Sequence, residues 1–461
     1  MTSHLKTALI ETQDLGTARQ WKLSSEEFSN RASSLTPASV AFLEKAGAWE
    51  HVDQARVQQY DEMRVWDASN DSSLQFDWKA EARQYNAIPR TIATMTENAN
   101  LTKALLDRIT ALKGHDSLFT STKVSSISMG EDNAEGSNLS NWPVLSLQSA
   151  LPSSSPSKIA ARLLVGADGF NSPVRTFSGI ASSGWDYARH GVVATLKIRS
   201  QESTFDEMLI EDDAVCATAY QRFLPELGGP IALLPLPGNY ASLVWSTTPA
   251  NAAYLQSLPA PSFVATVNAA LRLSQSDIKY MFSLPSSEAS AHDSELRWRL
   301  EHTLPPPLGK PLPFVEAVQT GSIASFPLRF RHAKAITAPR IALAGDAAHT
   351  IHPLAGQGLN LGLGDACVLA DTIAYGVEHG MDIGDLMTLE KYGGERFSKG
   401  MKMGFGVDAL NWCYQVGNGE GPLGTGVLAS LASRARGLGM SLIDKDLVPG
   451  LKSLVMRQAE G

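Results

Sequence analysis

An α/β fold is predicted for this chain: a doubly wound, parallel-stranded unit interrupted by a mixed, largely antiparallel β-sheet and followed by C-terminal helices. Three observations predict it. Short apolar runs at Leu5–Ile10, Leu163–Val165 and Arg340–Ala344 read as buried strands, and helical patterns separate them. Between the second and third lie the strand-like runs VVATLKI, IALLPL and YASLVWS, spaced from Val192 to Trp245 as an antiparallel sheet requires. A long helical pattern then runs from about Gly358 to His379. Such α/β segments on both sides of a β-rich insert describe one Rossmann-like unit split by a second domain.

Taken in order, LKTALI (Leu5–Ile10) is a short buried strand closed by Glu11, and Asp14–Glu27 is polar loop. Thr36 caps a helix opened by Pro37, which keeps helical spacing until the region of Gly47. Met63–Ala68 and Leu74–Trp78 form a hairpin. Asn98–Ala111 is an amphipathic helix with Leu101, Leu105, Leu106 and Ile109 on one face. The Ser/Pro-rich segment Ser149–Ser157 joins strands at Val144–Gln148 and Ala160–Val165. The proline-rich stretch Leu284–Pro313 is irregular around a short helix at Asp293–Glu301. These assignments place the first domain at residues 1–60, 91–180 and 331–400. The second takes a hairpin at 61–90 and the sheet at 181–330, and helices fill 401–461.

Composition narrows the function. With 39 Lys+Arg against 47 Asp+Glu, the net charge of -8 offers no basic footprint for nucleic acid and no polybasic anchor, so a small-molecule substrate fits better. Three scattered cysteines (Cys216, Cys367, Cys413) argue against a disulfide framework or a Cys-x-x-Cys metal site. No run approaches the roughly 20 consecutive apolar residues of a membrane-spanning helix. Met1–His4 lead almost directly into the first strand, so no targeting segment is expected in the chain as given.

Three elements carry chemistry. Glu11, at a strand end, can accept hydrogen bonds from ribose hydroxyls, although on its own a plain surface carboxylate is the favoured reading there. In LLVGADGFNSPVR (Leu163–Arg175), a strand runs into Gly166 and Gly169, with Asp168 placed to accept from backbone or ribose groups and Pro173 opening a helix. A purely structural aspartate is the competing reading. Most specific is AGDAAHTIHPLAGQGLNLGLGD (Ala344–Asp365). There a strand ends in Gly345 and Asp346, and a loop with His349, His352 and Pro353 leads to Gly356, Gln357 and Gly358 at a helix start. Free N–H groups and the positive end of the helix dipole suit that start to holding negative charge. His349 and His352 have no third ligand nearby, so no metal is expected. The sequence Gly-x-Gly-x-x-Gly occurs only as GEGPLG at Gly419, Gly421 and Gly424, behind a helical stretch and with Pro422 inside it. The first strand and glycine turn of the Rossmann-like unit are therefore expected to be missing from this sequence, which lowers both core packing and phosphate binding.

The set SNRASSLTPAS (Ser29–Ser39), LVGADGFNSPVR and GDAAHTIHPLAGQGLNLGLGD resembles class A flavoprotein monooxygenases, and within them the mitochondrial ubiquinone-biosynthesis hydroxylases of the UbiH/Coq branch. The runs RVWDA, TEN, VVATL, QRFLP, GPIALLPL and SLVWST extend the resemblance over nearly the whole chain. It implies an FAD-binding domain interrupted by a substrate domain. It also implies that Asp346 binds the ribityl chain, with Gly345 and Asn360 beside it, and that Gly356–Gly358 face the isoalloxazine ring. Arg31 would reach the diphosphate, Glu11 the ribose, and Asp168 the pyrophosphate region and a nicotinamide donor. Pro353, Gly356, Gln357 and Gly358 would border the reactive edge. The activity implied is hydroxylation, at ring position 5, of a polyprenyl hydroxybenzoate by dioxygen, with electrons from a ferredoxin-type donor. The implied setting is the matrix side of the mitochondrial inner membrane, in peripheral contact with it and with other ubiquinone-biosynthesis proteins. Leu428, Leu431, Leu438, Leu442 and Leu447 read as core-facing helices or as a surface for that membrane or those partners. The alternative is a catalytically inactive family member that acts as a scaffold.

Overall fold

The computed structural model describes residues 5–70, 72–78, 91–112, 118–133, 137–150, 157–199, 218–286, 289–304, 306, 312–351, 356–415 and 437. Its largest element is a nine-stranded sheet. In spatial order this runs His349–Thr350, Ala324–Ala333, Ser182–Ile198, Tyr240–Thr247, Gly229–Leu236, Thr218–Leu224, Glu62–Asp67 and Ser73–Asp77, with Val315–Val318 also paired to Ser182–Ile198. Every pairing is antiparallel except Glu62–Asp67 against Thr218–Leu224, so the sheet is mixed and largely antiparallel, as the alternating runs predict. One face packs on the helix Ala260–Arg272. Trp245, Phe263, Ile231, Leu243 and Leu271 are wholly buried between them and form the principal core.

The Rossmann-like part is assembled from smaller pieces. Leu164–Gly166 pairs in parallel with Ile341–Leu343, and Thr337–Ala338 is antiparallel to the latter. Leu9–Ile10 pairs in parallel with Leu118–Phe119. A separate antiparallel trio, Ala32–Leu35, Ala93–Glu97 and Gln58–Tyr60, carries the Ser29–Ser39 segment. No described strand pairs with the remaining edge of Leu9–Ile10 or of Leu164–Gly166. Accordingly Leu9 is 45% and Val165 39% exposed, unusual for apolar residues of a parallel sheet.

Several local expectations hold. The Thr36 hydroxyl accepts from Ser39 N ahead of the helix Pro37–Lys45, and Gly47 follows it in the left-handed region. The helix Asn98–Ala111 has the predicted bounds, but Leu101, Ala104 and Leu106 form its buried face while Leu105 is turned outward. The long helix spans Gly358–Glu378.

Others are corrected. LKTALI is not a buried strand: only Leu9–Ile10 pairs as one, against Leu118–Phe119, and Leu9 is exposed. Asp14–Glu27 is not all loop, since Asp14 caps a short helix at Leu15–Arg19 by accepting from Gly16 N. Ala160–Val165 is split. Lys158–Ala160 turns back on Pro143–Ser149, whereas Leu164–Gly166 crosses to the sheet of Ile341–Leu343. The helix expected at Asp293–Glu301 extends over Ala289–His302. The Gly419–Gly424 segment and, apart from Gly437, Leu423–Met456 lie outside the described residues, and the helix Leu386–Gln415 precedes them.

Candidate functional site

Two turns and a helix start meet here. Strand Ile341–Leu343 ends in the single-turn helix Gly345–Ala347, and Gly345, at φ 60°, takes a backbone conformation that side chains disfavour. The helix Gly358–Glu378 crosses directly over it: a Cβ at Gly362 would stand 3.4 Å from Gly345 Cα. Among the described residues, no side chain caps the N-terminus of that helix, and nothing lies within 4 Å of where a Cβ on Gly358 would be. Its first N–H groups therefore keep their hydrogen-bonding capacity and the positive end of the helix dipole. Gly356 turns the chain into this start at φ 61°, and Gln357 is buried.

Asp346 faces outward on the neighbouring turn with no hydrogen-bond partner for its carboxylate among the described residues. Although its outer side is open, protein crowding the inner side raises its carboxyl above the usual range, and nearby His349 opposes that shift. Arg31 is exposed, and its guanidinium has no bonded partner among the described residues. Its backbone carbonyl accepts from Asn98 N at 2.9 Å, which fixes the segment but leaves the cation available.

Asp168 is occupied differently. Its Oδ2 accepts from Val174 N at 3.0 Å, and Ser172 caps the same short helix through Arg175 N, as a structural aspartate would be expected to behave. The adjoining Arg175 donates to Ala347 O and to Phe170 O, both at 2.7 Å, and so ties the Asp168 turn to the Asp346 turn. Asn360, grouped by the sequence with the cofactor ligands, spends its amide inside the protein. It accepts from Thr36 N and Ser39 Oγ and donates to Ser34 O, which fastens the helix start to the Ser29–Ser39 segment. Glu11 bonds back to Gln13 N at 2.8 Å, in a turn after its strand. His352 and Pro353 lie outside the described residues. His349 donates from Nε2 to Asp365 Oδ2 at 2.7 Å, and the described residues contain no group of three or more possible metal ligands.

Sequence reasoning missed the buried layer behind the site. His332 is paired across the strands with His349, donates from Nδ1 to Ala333 O at 2.7 Å, and leaves Nε2 buried without a partner. Burial, opposed by that carbonyl, holds its pKa below the ordinary value; His349 adds to the depression and Asp365 counters it. A depressed histidine stabilises the fold above its unfolded pKa of about 6.5 and withdraws that stability as pH falls. Urea midpoints between pH 7.5 and pH 5.5 should therefore fall for the parent chain and fall less for His332→Asn. An equal drop in both would contradict the assignment.

Residues 272–403, which span the Asp346 turn and the Gly358 helix, match the model of an FAD binding domain. Over 99% of its length the chain is 34% identical to ubiquinone biosynthesis monooxygenase COQ6, mitochondrial, of Schizosaccharomyces pombe, covering 86% of that protein. The chain belongs to the COQ6 family of ubiquinone biosynthesis monooxygenases. Its COQ6 relative in Saccharomyces cerevisiae is 36% identical over 85% of this chain and 78% of its own length. The human relative is 34% identical over 85% and 76%. All three are named as mitochondrial, the compartment of this family.

Solved structures agree on the fold. p-Nitrophenol 4-monooxygenase PnpA from Pseudomonas putida aligns with a TM-score of 0.57 at 15% identity, over 100% of this chain and 92% of its own. Klebsiella pneumoniae HpxO, complexed with FAD and uric acid, aligns at 0.55 and 14%, over 94% and 87%. As a COQ6-family member the chain is an FAD-dependent monooxygenase, and its residues suit that cofactor. Among the described residues, a helix start without a side-chain cap, the Asp346 carboxylate and the Arg31 guanidinium without bonded partners offer a donor set, an acceptor and a cation of the kinds that a flavin ring, a polyol and a diphosphate would take.

Proposed function

We propose that this chain hydroxylates the aromatic ring, at position 5, of a polyprenyl hydroxybenzoate in ubiquinone biosynthesis. The observation that carries the reading is the uncapped start of the Gly358 helix lying across the Asp346 turn, with Gly345 and Gly362 in near contact. FAD, when bound and reduced, supplies with dioxygen the oxygen atom that enters the ring. The chain's residues bind and orient. Gly356–Gly358 present N–H groups and the helix dipole to negative charge, Asp346 accepts from hydroxyls of the ribityl chain, and Arg31 pairs with the diphosphate. A phenol activates its own ring, so no protein nucleophile is required; Gln357 borders the pocket edge.

A ferredoxin-type protein is the proposed electron donor, and the inner membrane, on its matrix side, the proposed working surface, shared with other ubiquinone-biosynthesis proteins. No helix among the described residues is long and apolar enough to cross a membrane. The test is direct. The purified chain titrated with FAD should acquire flavin absorption bands and, given a reductant, convert a prenylated hydroxybenzoate to its hydroxylated product by mass spectrometry. A chain that stays colourless at saturating FAD would refute the proposal.

A further inference from the structure

Asp365 lies on the Gly358–Glu378 helix and is completely buried. Its carboxylate gathers three donors from three separate elements. Oδ2 accepts from Gly345 N at 3.0 Å, at the start of the Asp346 turn, and lies 2.7 Å from His349 Nε2 on the strand that follows. Oδ1 accepts from Arg396 Nε at 2.7 Å, on the helix Leu386–Gln415. Arg396, itself 3% exposed, also donates to Leu361 O at 3.0 Å and packs so closely that a Cβ on Gly364 would stand 2.8 Å from its Nη2. Four residues earlier on that helix, Tyr392 Oη donates to Leu343 O, the end of the strand that leads into the turn.

The carboxylate therefore joins the helix whose start would hold the flavin ring to the turn whose aspartate would hold the ribityl chain. We propose that Asp365 is a positioning residue, which sets the Gly358 helix start and the Gly345–Asp346 turn in mutual register through its hydrogen bond to Gly345 N. The consequence for cofactor affinity rests on the flavin reading above; the hydrogen-bond arrangement does not. An ionised carboxylate suits this place because all three partners donate, and only an acceptor-only group satisfies them together. Burial alone would raise the Asp365 carboxyl, but the bonds and charges of His349 and Arg396 outweigh it and keep the group ionised. His349 Nδ1 is buried without a hydrogen-bond partner among the described residues, so Nε2 is the atom through which this ring engages the protein.

Asp365→Asn keeps the shape but must turn an NH2 toward a donor and leaves the Arg396 charge uncompensated. In the ligand-free chain, amide hydrogen exchange at Gly345 should accelerate relative to the parent. Flavin dissociation constants should rise roughly tenfold or more, the loss of a hydrogen bond to a charged group. A second substitution separates positioning from mere charge balance: Asp365→Asn with Arg396→Met removes the orphaned cation, so thermal stability should return while flavin affinity stays weak. If the double variant binds flavin like the parent, or if Gly345 exchange is unchanged in Asp365→Asn, the proposal fails. Should Asp365→Asn not fold, His349 serves instead. His349→Gln retains an N–H for Asp365 and should bind flavin nearly as the parent does, His349→Leu should bind it several times more weakly, and equal binding by both would overturn the idea. A parent chain that binds no flavin would refute the proposed function, while exchange at Gly345 would still decide the role of Asp365.

Discussion

Asp346→Ala should lose flavin affinity by roughly ten- to a hundredfold, the range expected when hydrogen bonds to a charged group are removed. The side chain touches no other residue through a hydrogen bond among those described, so its removal should cost the fold little and the cofactor much. That asymmetry makes it informative: fluorescence titration with FAD should show the loss while the urea midpoint stays near that of the parent. Asp346→Asn, which keeps one acceptor oxygen, should fall between the two. Because protein crowding raises this carboxyl above the usual value, the parent's affinity should also weaken on acidification before ordinary surface carboxylates protonate. Unchanged affinity in Asp346→Ala would remove the residue from the cofactor site.

The largest stability effect is expected at Glu97 and Arg56. Both are buried, with Nε and Oε2 only 2.6 Å apart, and Arg56 also donates to Ser24 O and Glu27 O while its guanidinium lies 4.6 Å from the centre of the Phe28 ring. The other oxygen of Glu97 accepts from Ser29 N. Glu97→Ala leaves a buried cation unpaired, and the cost of breaking such a pair is about 3–5 kcal/mol. That is a large part of the roughly 5–15 kcal/mol by which domains are stable. Urea unfolding should show it, and Glu97→Ala with Arg56→Met should recover part. Flavin affinity should decline too, since the clamped segment leads straight into Arg31. A loss below about 1 kcal/mol would mean the pair is solvated.

What the sequence revealed and concealed follows from the range of the forces involved. Thr36 before Pro37, the helix Asn98–Ala111 and the start at Gly358 are specified by neighbours a few residues away, and each was legible. The fate of LKTALI depended on partners more than a hundred residues distant, so its apolar run misled. Asn360 was recognised by its motif, yet its amide is spent on Ser34, Thr36 and Ser39, contacts over 320 residues apart that no local pattern encodes. The Glu97–Arg56 clamp and the three donors around Asp365 escaped for the same reason. Polar residues inside ordinary helical or strand patterns give no sign of being buried until the elements that enclose them are in place.

The nine-stranded sheet carries a consequence for biogenesis. Glu62–Asp67 pairs with Thr218–Leu224, and among the described residues the opposite border is formed by His349–Thr350. During synthesis the early hairpin must wait, its edge open, while some 150 further residues emerge, and the sheet is incomplete until most of the polypeptide has left the ribosome. Pairings so remote in sequence slow folding and leave strand edges exposed to neighbouring chains, so chaperone assistance should govern the yield of this protein more than its final stability does.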